Sequence, residues 1–268
     1  MKSKFGLFLS IGLAAAFPVT LPAQPAPSGY HTIACIKVKP GKGAEYRKFF
    51  ADDVHKLEQA SADSGRISAW FLLGAVMPAG SSAACDYVSI LIFPGAPPAP
   101  MGLDGLGALL KKSGLAISAE DYVAQRGSMT ELVSSALWRN QIAVGTLQKG
   151  DYVVVNHMKV PKMGEWIAYE KKVWQPFAES MVKDGVTRGW FLNVQEIPGG
   201  SDLKYQASTV DVYPGWDAYF KLGNGFAERF KKVHPDMDIN QTFDNYEKLR
   251  TIGSLEMLSV EDFVAPAK

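Results

Sequence analysis

The chain has 268 residues, 47% of them hydrophobic, and its 28 Lys and Arg almost cancel its 27 Asp and Glu. A chain this close to neutrality exerts no long-range attraction on polyanions, so nucleic acid binding lacks its main source of affinity. Its length allows two sizeable cores, and no apolar run beyond the first residues is long enough to span a bilayer, so no stable membrane insertion is expected.

Lys2 and Lys4, the apolar run Phe5–Ala16, and then Pro18, Pro22 and Ala23 form the pattern of a secretory signal peptide over residues 1–23. A membrane anchor is the other reading, but the 12-residue run, apolar except for Ser10, falls short of the roughly 20 needed to cross a bilayer. Removing this segment takes two lysines and no acid, leaving 26 basic against 27 acidic side chains and a secreted or periplasmic protein of 245 residues.

Residues 34–95 lie over residues 154–215 at a constant offset of 120, so one unit is written twice. The clearest matches are Gly65 with Gly185, Trp70-Phe71-Leu72 with Trp190-Phe191-Leu192, and Pro78, Gly80 and Ser81 with Pro198, Gly200 and Ser201. The units are assigned to residues 30–147 and 150–264.

In chain order, Thr32–Val38 and Tyr152–Met158 read as first strands, stopped by turns at Pro40-Gly41 and Pro161. Residues 43–62 and 163–183 change to helical spacing and end at Gly65 and Gly185, with a kink expected at Pro176. Ile67–Val76 and Thr187–Ile197 are second strands, and Tyr87–Phe93 and Ser208–Tyr213 third strands. Second helices are expected at Leu103–Lys112 and from Trp216 toward Lys232. Fourth strands fall at about Glu131–Ile142 and Thr251–Val260, in windows that also tolerate a helical reading.

The order βαββαβ gives a four-stranded antiparallel sheet with both helices on one face. Side-chain alternation points Phe71 and Phe191 away from Trp70 and Trp190, so the second face of each sheet is apolar as well. Packing the two sheets face to face about a pseudo-twofold axis would cover those faces within a single chain. Such a monomer leaves further oligomerisation open.

Element order and the shared pattern Gly-x-x-x-x-Trp-Phe-Leu…Pro-x-Gly-Ser…Pro-Gly resemble the ferredoxin-like modules of the dimeric α+β barrel superfamily, which includes antibiotic-biosynthesis monooxygenase-like proteins. The resemblance covers nearly all of the mature chain and is to exported bacterial proteins. It implies an α+β fold, two ferredoxin-like βαββαβ units packed as an intramolecular dimeric α+β barrel. The superfamily holds cofactor-free oxygenases, haem proteins, isomerases and simple binders, so it bears on fold far more than on chemistry.

His157 is the leading candidate for chemistry, because strand alternation sets it beside Val153 and Val155 on an apolar face, where an imidazole could act as a base or a haem ligand. The competing reading is a satisfied histidine at a strand end. Asp211 interrupts a neighbouring strand between Val210 and Val212 and could orient His157, or sit solvated at a sheet rim. Arg188, Trp190, Tyr169, Glu170 and Trp174 could complete a ligand pocket between the first helix and the sheet of the second unit, although Tyr169 and Trp190 also have core-like spacing. Asp52, Asp53, His55 and Glu58 read as a solvated helix face rather than a metal site. His31 and His234 have no evident company. Cys35 and Cys85 read as two small buried thiols rather than a bridge.

No nucleophile elbow, phosphate loop, His-Glu-x-x-His or Cys-x-x-Cys occurs. The expectation is therefore an exported binder of a small apolar or aromatic molecule, with cofactor-independent oxygen chemistry or proton transfer by His157, and with neither metal nor cofactor assigned. The alternatives are a haem protein liganded by His157 and a non-catalytic structural or interaction module.

Overall fold

The computed structural model describes residues 29–267, so the signal peptide expected over residues 1–23 lies outside the described residues. In chain order the elements are β1 (Tyr30–Val38), α1 (Gly43–Phe49), a π-helical turn (Phe50–Val54), α2 (His55–Asp63), β2 (Ala69–Met77), β3 (Tyr87–Ile92), α3 (Leu103–Lys112), α4 (Ala119–Met129) and β4 (Thr130–Gly145). The second half follows with β5 (Tyr152–Lys159), α5 (Met163–Lys172), α6 (Trp174–Lys183), β6 (Gly189–Ile197), β7 (Ala207–Tyr213), α7 (Trp216–Lys221), α8 (Phe226–Val233), α9 (Ile239–Leu249) and β8 (Thr251–Val264). The fourth elements are strands, which resolves the ambiguity of those windows.

The eight strands close into one antiparallel barrel in the order β1-β3-β2-β8-β5-β7-β6-β4. This differs from two separate sheets packed face to face. The halves are joined edge to edge, through β2–β8 and β4–β6 ladders. Closure satisfies the edge N–H and C=O groups that two free sheets would leave unpaired. β4 and β8 are long because each serves both halves: β4 pairs with β1 over Thr130–Arg139 and with β6 over Leu137–Gly145.

Each half packs its helices against the outside of the barrel. Trp70 and Trp190 are almost fully buried in these two outer cores, beside Tyr46, Phe49 and Leu110 in one half and Trp166, Phe177 and Phe230 in the other. Truncating either tryptophan to Ala would cost about 3–5 kcal/mol, the usual price of emptying an aromatic site in a packed core. Phe71 and Phe191 point the other way, into the barrel interior with Leu73, Val153 and Leu258, as alternation requires.

The first helix of each half is interrupted at the same place. In the first half the chain makes the π-helical turn over Phe50–Val54. In the second the break falls at Val173, three residues before Pro176, whose ring and missing N–H oppose an unbroken helix there. The buried His234 ring is 2.8 Å from the Val173 carbonyl oxygen through Nε2, and so donates to it at the break. Both helices stop at a left-handed glycine, Gly65 at φ 74° and Gly185 at φ 70°. In each case the next two N–H groups fold back onto the last turn, as Gly65 to Ala62 and Arg66 to Ser61 illustrate.

Strand pairing corrects the repeat alignment in one place. Cys35 pairs with Val88 and Ser134, whereas His157 pairs with Ser208 and Ser254, the repeat partners of those two residues. The first strands are therefore shifted by two residues relative to the rest of the repeat, and His157 occupies the place of Cys35 rather than Lys37. By the same pairing His31, opposite Ile92 and Trp138, occupies the place of Val153, opposite Val212 and Leu258.

Cys35 and Cys85 form a disulfide with their Cα atoms 5.2 Å apart, which overturns the reading of two free thiols. The β1 strand carries Cys35 up to the segment between β2 and β3, so topology alone brings the two together.

Candidate functional site

The barrel interior holds a cavity of about 1000 Å³. Most of its wall is aliphatic and aromatic, from residues such as Phe71, Val155, Phe191 and Leu258. Inward-pointing polar groups gather at one end and along one side.

At the end where β5 stops, His157 Nε2 lies 2.5 Å from Glu256 Oε1, with both side chains about one quarter exposed. The Tyr205 ring stacks on the imidazole at a centroid separation of 5.7 Å and an interplanar angle of 28°. Tyr205 can lie there because β8 bulges at Gly253, where an added methyl group would fall 2.1 Å from the Tyr205 ring. A hydrogen bond from Ser254 draws the Tyr205 hydroxyl below the ordinary tyrosine range, opposed by desolvation. In the first half the bulge carries Val133, and Cys85 stands where Tyr205 stands, so a disulfide occupies the place of the aromatic stack.

From His157 a polar row continues around the wall. Ser254, His157, Ser208, Asn193 and Asn140 are successive cross-strand neighbours on β8, β5, β7, β6 and β4. Asn140 Nδ2 donates to Asn193 Oδ1 at 3.0 Å. His31 also faces the cavity, opposite Trp138, and both are about 6% exposed. Burial lowers the His31 pKa from 6.5 to about 4, so its ring is neutral at pH 7.

The residues singled out from sequence distribute as follows. His157 lines the cavity, but Asp211 does not orient it. Asp211 pairs across the strands with Val154 and points to the helix side, because it is one residue out of phase with the inward Val210. Its carboxylate accepts from Asn156 Nδ2 at 3.1 Å, and burial pushes its pKa up to about 7 against the pull of that bond and of Arg250. The carboxylate partner of His157 is Glu256, which sequence spacing could not supply from 99 residues away. Its signal was a charged residue between Leu255 and Met257 within the β8 strand.

The pocket expected between the first helix and the sheet of the second unit is filled. Trp190 is core, and Tyr169 and Trp174 pack on Tyr246 and Phe177. Glu170 is buried, accepts from Trp166 Nε1 at 2.8 Å and from the Tyr246 hydroxyl at 3.1 Å, and has its pKa pushed up to about 7 by burial. Arg188 donates to Asp151, Nε to Oδ1 2.7 Å. These five residues form supporting structure around the barrel and do not line its cavity.

His55 binds Asp262 of β8, Nδ1 to Oδ2 2.8 Å, rather than standing on a wholly solvated face. Among the described residues no group of three or more His, Cys, Asp or Glu is arranged to hold a metal ion, and no helix is long and apolar enough to cross a membrane.

No family model and no curated protein matches this sequence. Solved structures do. A candidate monooxygenase from Fusobacterium nucleatum aligns over 88% of this chain and 94% of its own, with 16% identity and a TM-score of 0.54. A second candidate monooxygenase, from Lactobacillus acidophilus, aligns over 89% and 99% with 10% identity and a TM-score of 0.50. At these identities the likeness is one of fold alone: an α+β protein with a closed eight-stranded antiparallel barrel.

Proposed function

We propose that the barrel interior binds a small apolar or aromatic molecule and that His157 and Glu256 act on it as a proton-transfer pair. The observation that carries this reading is a largely apolar cavity of about 1000 Å³ with a histidine–carboxylate pair in its wall. A cavity of this size and lining suits a small organic ligand oriented by a few polar groups.

With the Glu256 carboxylate accepting from Nε2, the imidazole keeps its lone pair on Nδ1. A substrate proton taken by Nδ1 leaves an imidazolium facing a carboxylate, which stabilises it and fixes the ring. Glu256 is then a positioning residue and His157 the base. The monooxygenase-like likeness of the fold is compatible with such a step, which would activate a substrate carrying an acidified C–H or O–H bond.

We further infer that each half is a ferredoxin-like βαββαβ unit, residues 30–147 and 150–264. In support, both halves run in the order fourth, first, third, second strand across the sheet. Export rests on the Lys2–Ala23 leader pattern, and the Cys35–Cys85 bridge accords with an oxidising compartment.

Haem ligation by His157 fits the geometry poorly. Nε2 is committed to Glu256 and one ring face to Tyr205, so the ring offers no free Nε2 to an iron.

A thermal-shift screen of aromatic and alicyclic compounds tests the reading. Hits should raise Tm in the wild type and in His157→Ala, while turnover of a converted hit falls by about 10²–10⁴-fold in His157→Ala. The absence of any hit, or turnover unchanged in His157→Ala, would remove it.

A further inference from the structure

The duplicated chain carries an internal control: each inward position has a structural counterpart in the other half, and the two seams that join the halves can be compared residue by residue. Along the β4–β6 seam the cavity is faced by Asn140, Asn193, Trp138 and Gln195. The same positions on the β2–β8 seam hold Val260, Leu73, Leu258 and Ala75. All four are apolar. Beside the first seam stands His31, whose counterpart is Val153.

The polar seam is also incompletely paired. Asn140 and Asn193 make one hydrogen bond to each other, which leaves the Asn193 Nδ2 donor and the Asn140 Oδ1 acceptor without another partner among the described residues. Neither the His31 ring nor the Trp138 N–H has a hydrogen-bond partner among the described residues. Asn193, His31 and Trp138 are 5–6% exposed, and all three line the cavity. These groups are free to bond a ligand, and the same fold accommodates apolar residues in the counterpart places.

The geometry points to a ligand with two unlike edges: an uncharged hydrogen-bonding edge, carbonyl or hydroxyl, set against Asn193, Asn140, Trp138 and His31, and a hydrocarbon edge set against the β2–β8 seam. Charge is disfavoured because the seam residues bring none to the contact. His31 is neutral at pH 7, His157 and Glu256 are hydrogen-bonded to each other, and Lys204, which also lines the cavity, lies over the Tyr205 ring. This inference rests on the cavity being the binding site, and it specifies what that site selects.

Three near-isosteric probes separate the terms: 2-acetylnaphthalene, 2-isopropylnaphthalene and 2-naphthoate, each competing with the neutral fluorophore N-phenyl-1-naphthylamine for the full-length mature protein. In the wild type the acetyl compound should displace the fluorophore about tenfold more effectively than the isopropyl compound, and more effectively than the carboxylate at pH 7. Replacing the seam by its counterpart, Asn193→Leu with Asn140→Val, should reduce that preference to under about twofold while isopropyl binding stays within about threefold. Equal displacement by all three in the wild type, a preference for the carboxylate, or a preference that survives in the folded double variant would overturn the inference while leaving the cavity as a site. A fluorophore that does not bind would instead sink the binding reading and this inference with it.

Discussion

Tyr205 lies across Gly253 so closely that the smallest side chain at that position would collide with its ring. The glycine sits in a β-bulge whose counterpart in the first half is Val133, and there a cysteine, Cys85, takes the place of the tyrosine. Gly253→Val should therefore push Tyr205 off the imidazole. NMR of the histidine side chains gives the readout: the His157 resonances should move while those of His31, at the other end of the cavity, stay in place. Unmoved His157 resonances would show that the bulge does not hold the stack.

Buried ionisable groups give opposed pH dependences. Glu170 and Asp211, each pushed up to about 7, hold protons in the folded state that the unfolded chain releases from about pH 4 upward. Their contribution is present at low pH and is lost as pH rises toward 7. Glu170→Gln should thus be more stable than the wild type at pH 8, by on the order of 2 kcal/mol, with no advantage at pH 4. His31 acts in the other direction, since the unfolded chain takes up a proton below about 6.5 that the native ring resists until about 4. His31→Val should flatten the acid limb over that window. Denaturant midpoints measured from pH 4 to 8 check both slopes.

The Cys35–Cys85 bridge closes a loop across 50 positions of sequence. Constraint of the unfolded chain by a loop of that length contributes about 4 kcal/mol. Reduction, or the double variant Cys35→Ala with Cys85→Ala, should lower the unfolding midpoint accordingly, and equal midpoints with and without reductant would contradict the bridge.

Arg188 and Asp151 separate structure from binding. Asp151 is buried, its carboxyl is pushed upward by that burial, and Arg188 is its charged partner. Arg188→Ala strands a buried acid and should cost about 3 kcal/mol. Ligand affinity of the folded fraction should not change, because Arg188 does not line the cavity. A selective loss of affinity in calorimetric titration would return Arg188 to the site.

Much of the fold was legible because strands and helices write their periods into the sequence. Both second strands, the inward turn of Phe71 and Phe191, and the interruption of the helix near Pro176 follow from alternation and from proline chemistry. Helices α4 and α9 escaped notice although their N-caps were in plain view: Ser118 and Asp238 each accept from the N–H three residues on, Asp121 and Gln241. The two-residue slip of the first strands was invisible for a physical reason. Side chains alternate with a period of two, so a shift of two keeps every residue on its own face and leaves the hydrophobic pattern intact. That slip hid the equivalence of His157 with Cys35.

The site was half legible. His157 announced itself as a polar residue on an apolar face, whereas Glu256 and Tyr205 meet it only through strand pairing and a bulge. Asn193 was visible in principle, because Leu73 is its partner in the repeat, but a polar substitution in one copy means little until the position is known to face inward. Asp211 misled because it lies three residues from Ser208, the cross-strand partner of His157, and alternation turns it to the opposite face.

Fusion of the two halves has a consequence for how this interior could arise. In an assembly of two identical chains every inward substitution is made at both joints at once, so a lining with an amide on one joint and leucine on the other cannot be encoded. A single gene carrying both copies escapes that constraint: Asn193 and Leu73 vary independently. The enclosure retains its pseudo-twofold backbone, while its chemistry is free to become lopsided.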